Sequence, residues 1–123
     1  MKLVRRTTTL ALILLATSAT LAGASSSLSG EYVTTVKTAG SLNGTYRIAF
    51  SPGHFILHAP YDITGHGTYS ISGSKITMHG PSATCTAAGT YEFKISGSYL
   101  SFKKIHDPCQ RSEILTPHAL KRT

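Results

Sequence analysis

The sequence predicts an all-β fold, an antiparallel up-and-down barrel of about eight short strands carrying one disulfide. Three observations lead there. Gly-Thr-Tyr stands at Gly44, Gly67 and Gly89, each time ahead of an alternating stretch, a Gly-containing turn and a second alternating stretch. One parity of those six stretches is apolar and the other polar, which is the pattern of strands with one face buried. No segment of the mature chain shows a helical period.

The chain has 123 residues, room for a single domain. Residues 1–24 read as a secretory signal peptide. Lys2, Arg5 and Arg6 give a positive start, "LALILLA" from Leu10 to Ala16 gives a short apolar core, and Ala22 and Ala24 supply the small residues of a cleavage site near Ala24. The apolar run is shorter than the roughly 20 residues of a membrane-spanning helix, so no membrane span is expected in the mature chain. The protein is therefore expected outside the cell or in its envelope. Residues 25–29, rich in serine, read as a flexible leader. Residues 30–116 read as the barrel and residues 117–123 as a basic tail.

Each strand has its own justification. Gly30-Glu31-Tyr32 with Val33 and Val36 opens the domain. The first Gly-Thr-Tyr hairpin turns at Ser51-Pro52-Gly53, the second at Ser72-Gly73-Ser74 and the third at Ser96-Gly97-Ser98, where glycine reaches the positive φ that tight hairpins need. The apolar face is Tyr46, Ile48, Phe50, Phe55 and Leu57, then Tyr69, Ile71, Ile76 and Met78, then Tyr91, Phe93, Ile95, Leu100 and Phe102. The opposite face carries Arg47, Ser70, Lys75, Thr77, His79, Glu92, Lys94, Ser101 and Lys103. "QRSEIL", Gln110 to Leu115, reads as one more short strand. A lone hairpin is marginal in water, so the apolar faces have to meet around one interior.

Cys85 and Cys109 both lie in the exported part, an even number in an oxidising compartment, and read as a disulfide. Closing a loop of about 25 residues stabilises by roughly 3 kcal/mol in the chain-entropy description. Asp107 and Arg111 read as an ion pair beside it, a structural clasp at one end of the barrel.

These features resemble small exported bacterial proteins of lipocalin-like, calycin type. The shared marks are the Gly-x-Tyr hairpins, a lone cysteine before the last Gly-Thr-Tyr, and the "DPCQR" run from Asp107 to Arg111. The resemblance implies an eight-stranded barrel that holds a small apolar ligand. It also implies an arginine stacked on an aromatic ring of the first strand, and the matching residues are Gly30, Tyr32 and Arg111, with tyrosine where the family has tryptophan.

The mature chain holds nine Lys and Arg against five Asp and Glu, a net +4. The basic residues are scattered, so no nucleic-acid partner is expected. No phosphate-binding glycine loop or paired-histidine zinc motif is present. His54 and His58 lie about 13 Å apart at strand rise, too far to share an ion. No metal, cofactor or catalytic residue is assigned. The lumen candidates are Tyr46, Phe50, Leu57, Tyr69, Met78, Tyr91, Phe93 and Phe102, which either line a ligand cavity or fill it. The expected function is binding of a small apolar or amphipathic molecule. The alternative is a protein-binding or inhibitor module acting on an extracellular protein through the loops Pro60 to Gly67 and Gly80 to Ala88. No enzymatic activity is expected.

Overall fold

The computed structural model describes residues 27–82 and 84–123, so the expected signal peptide lies outside the described residues. Eight antiparallel strands form a closed barrel in which each pairs with the next: β1 (Gly30–Val36), β2 (Gly44–Ser51), β3 (His54–Ala59), β4 (Ile63–Ser72), β5 (Lys75–His79), β6 (Gly89–Ser96), β7 (Tyr99–His106) and β8 (Leu120–Arg122). The barrel closes where β8 pairs with β1 through Tyr32–Arg122 and Val33–Lys121.

The meander gives the barrel two unlike ends. At the turn end, residues 52–53, 73–74 and 97–98 join the strands of the three Gly-Thr-Tyr hairpins. Gly53, Gly73 and Gly97 all have positive φ there, as these hairpins require. The other end, the loop end, carries the long connections. These are residues 37–43 with a 3-10 turn at Gly40–Leu42, residues 60–62, residues 80–88, and residues 107–119 with a short helix α1 (Arg111–Leu115).

Tyr32, Ile48, Phe50, Phe55, Tyr69, Ile76, Met78, Tyr91, Leu100 and Phe102 are buried in one cluster with Leu28, Leu115 and Leu120. Leu57, Ile71 and Phe93 pack against it half-buried, while Arg47 and Lys94 face out. Four details of the expected pattern are corrected. Ile95, expected inside, is 51% exposed because it stands at the turn end beside the tight 97–98 turn, beyond the reach of the core. The "QRSEIL" segment is the helix α1 and not a strand: its two buried residues, Arg111 and Leu115, are four apart, one helical turn. The eighth strand lies instead within residues 117–123, so the expected basic tail closes the barrel and buries Leu120.

The fourth correction concerns the leader. Leu28 is 4% exposed beneath the turn end. Its amide donates to the Tyr69 hydroxyl at 2.8 Å, and that hydroxyl in turn has Ser51 O at 2.8 Å and Leu28 O at 3.1 Å within donating range. Tyr69 thus satisfies buried backbone that no strand partner reaches.

Candidate functional site

The interior is divided along its axis. Towards the turn end the aromatic rings pack edge to face: Tyr32 on Phe50 (centroids 6.1 Å) and Phe50 on Tyr69 (5.8 Å), with Phe55 tilted against Phe50 at 6.2 Å. Tyr91 and Phe102 form a further edge-to-face pair at 6.0 Å on the β6–β7 side. These rings fill that part of the barrel. Towards the loop end the strands splay around a cavity of about 590 Å³. That is within the range of about 300–1,000 Å³ usual for small-molecule sites.

Tyr46, Ile48, Phe55, Leu57 and Met78 form its inner wall, and Tyr61, Ile63, Pro81, Pro108, Gln110 and Ile114 stand around its mouth. Of the expected lumen residues, Tyr46, Leu57 and Met78 line the cavity. Phe50, Tyr69, Tyr91, Phe93 and Phe102 do not; they belong to the packed interior or its margin. Ile48 and Phe55 are the wall residues that the list of lumen candidates left out, although alternation already placed them on the inner face. Of the rim residues, Tyr61, Pro81, Pro108 and Gln110 are brought there by loops, while Ile63 stands at the start of β4 and Ile114 on α1. The segment from Pro60 to Gly67, expected as a loop, is mostly strand β4, and its true turn is residues 60–62.

Among the described residues, Arg111 is the one charged residue in the cavity lining, and its charge is fully engaged. Its Nε donates to Asp107 Oδ2 at 2.9 Å, and its terminal nitrogens donate to Asp107 Oδ1 at 3.0 Å, Gly80 O at 2.7 Å and Ala87 O at 2.6 Å. The Cys109 amide donates to Asp107 Oδ1 at 2.9 Å, and the Tyr91 hydroxyl donates to Asp107 Oδ2. The expected Asp107–Arg111 pair is therefore present, with Tyr91 as its third member. The Cys85–Cys109 disulfide (Cα–Cα 5.9 Å) ties the 80–88 loop to the same cluster. Gly89 sits under it; a β-carbon there would overlap the Asp107 carboxylate and approach Arg111 to 3.0 Å, which accounts for glycine at the head of the third repeat.

Burial works against the Asp107 charge, but hydrogen bonds from Arg111, Tyr91 and the Cys109 amide outweigh it and hold the carboxyl below its ordinary value. Burial first, and the Asp107 carboxylate second, push the Tyr91 phenol well above its own. Burial also raises Tyr46, whose hydroxyl donates to Leu42 O at 2.6 Å.

Tyr32 does not join the clasp. The guanidinium over its ring is that of Arg122, 5.9 Å from the centroid, and not Arg111. Gly30, with φ +102°, leaves the space in which that guanidinium lies, at 2.8 Å from where a β-carbon would stand. The expected stacking of Arg111 on Tyr32 is therefore corrected: the arginine over that ring comes from the closing strand, at the opposite end of the barrel from Arg111.

Among the described residues, no group of three or more His, Cys, Asp and Glu is placed to hold a metal ion, and no helix is long and apolar enough to cross a membrane. The chain matches no protein-family model, no curated protein and no solved structure.

Proposed function

We propose that this protein is an exported binding module of lipocalin-like type that takes one small apolar or amphipathic molecule into its loop-end cavity. The observation that carries the reading is the cavity itself: an apolar inner wall, an uncharged rim in which Gln110 and Tyr61 stand among Ile63, Pro81, Pro108 and Ile114, and one charge already neutralised by Asp107. A charged ligand group would lose its hydration there and find no free counter-charge, whereas an apolar body gains from leaving water. The Arg122–Tyr32–Gly30 arrangement and the exported disulfide support the same reading. The Arg111–Asp107 cluster supports a carrier rather than a catalyst, since its polar atoms are consumed in holding loops.

The test is binding of the neutral fluorophore Nile red. Fluorescence enhancement is expected for the native protein and is expected to fall by about tenfold or more in Ala59→Trp, which fills the cavity from β3 without entering the packed aromatic interior. Enhancement that survives this substitution in a folded barrel overturns the proposal.

A second reading rests on one observation. Tyr61 and Asp62 are consecutive non-glycine residues at φ 63° and 58°, and Tyr61 is 91% and Ile63 61% exposed at the mouth. Such backbone is uncommon for a bulky residue and tends to be kept where function needs it. Under this reading the mouth holds an extracellular protein. Native mass spectrometry then finds a protein complex lost in Tyr61→Ala, in place of a small-molecule adduct.

A further inference from the structure

Four of the chain's six histidines stand on one patch of the barrel's outer wall. His54 and His58 are on β3, His66 on β4 and His79 on β5, and all four are exposed. The register sets them close together. His54 pairs with Thr68, which pairs with His79; Ile56 pairs with His66; His58 pairs with Thr64. The patch is therefore about 13 Å along the strands, and two strand spacings, about 10 Å, across them. This patch lies on the far side of the wall from the cavity and is independent of the reading given above.

Its electrostatic surroundings lean one way. No carboxylate stands within β3, β4 or β5. Arg47 on β2 is paired in register with His58, and its charge is shared with Glu31 of β1 at 3.4 Å. Lys75 lies at the β5 border with Glu92 of β6 opposite it. Asp62 lies in the 60–62 turn, beyond the His58 row. Between these borders the outer face holds Ile56, Thr64, Thr68, Ser70, Thr77 and the four imidazoles. Imidazole is the side chain that gains a positive charge as pH falls from 8 to 5.

We propose that this face is a pH-gated binding site for a linear polyanion, a chain of phosphate or sulfate groups. Four imidazoles with little acidic counterweight around them are the geometry on which acid can build positive charge. A flexible chain fits better than a membrane. The wall is convex and meets a flat bilayer only along a narrow strip, and half-buried Ile56 is the lone large apolar group on the patch, leaving little to insert. No Phe, Tyr or Trp ring projects from the outer parity of these strands, so a base would find only the imidazoles to stack on, and the phosphates or sulfates of a chain remain the groups this face is built to meet.

The experiment is titration of the full chain with inorganic polyphosphate at about pH 7.5 and about pH 5.5, over a range of salt. Binding is expected to be about tenfold or more tighter at the lower pH, with a salt slope steeper by roughly 0.7 for each histidine engaged. The fourfold variant H54Q/H58Q/H66Q/H79Q is expected to lose the pH dependence, and H106Q/H118Q to keep it. The substituted residues are all exposed, so circular dichroism is expected to show an intact barrel in both. Equal affinity at the two pH values overturns the proposal. So does acid-dependent binding that persists in the fourfold variant, or binding to anionic vesicles without binding to polyphosphate.

Discussion

At the scale of single residues the Asp107 carboxylate is the most consequential side chain, because it gathers Tyr91, Arg111 and the Cys109 amide at one point. Its pKa is lowered on folding from 3.8, so the stability it contributes is fully present above about pH 4 and is lost as pH falls through the lower, folded-state value. The melting temperature is expected to decline below about pH 4. Asp107→Asn is expected to flatten that decline while costing about 3–5 kcal/mol near neutrality, since it leaves Arg111 buried without a counter-charge; calorimetry between pH 2 and 7 checks both. The Asp107–Arg111 pair was legible from its spacing and its neighbouring cysteine. Tyr91 was not legible as its partner, because the contact spans 16 residues and nothing local announces it. The Arg122–Tyr32 contact was hidden more deeply: Lys121-Arg122 looks like a solvated tail until the barrel is closed.

Among the elements, the strands that sit in the Gly-Thr-Tyr hairpins were readable, and two short pieces after the last hairpin were not. A period of two and a period of 3.6 cannot be told apart over five residues alone; the Ser72-Gly73-Ser74 turn marks β5 as one arm of a hairpin, and no such turn flanks α1, which passed for a strand. A three-residue strand has almost no period at all, so β8 passed for a tail. Yet β8 is the seam. Removing Leu120–Thr123 strips Leu120 from the interior and Arg122 from Tyr32, and exposes the edges of β1 and β7. The shortened chain is expected to lose its cooperative melting transition and to associate through those edges, as seen by circular dichroism and size-exclusion chromatography. Arg122→Ala alone removes only the ring contact, and is expected to cost about 0.5–2 kcal/mol and leave the fold intact.

For the whole molecule, one inner face serves two ends. Alternation revealed which residues point inward, but not which half of the barrel is filled, because packing depends on how rings from different strands meet across the axis. That division has a measurable counterpart. Phe50→Ala opens a void among Tyr32, Phe55 and Tyr69 and is expected to cost about 3–5 kcal/mol. Leu57→Ala enlarges a space that is already open, and its cost is expected to fall below the usual range of about 2–5 kcal/mol for such a truncation. Urea midpoints of the two variants test the difference, and equal losses would mean that the loop end is as well packed as the turn end.

Leu28 links this asymmetry to the chain's processing. With that residue seated against Tyr69, the barrel is a cup with a stopper in its base. A signal peptidase cutting after Ala24 would leave Leu28 in place, joined to β1 through Ser29. A cut only four residues further on would discard it, and present the Tyr69 hydroxyl and the underside of the packed rings to water from below. The position of the cut therefore decides whether the packed base of the barrel is sealed or wetted.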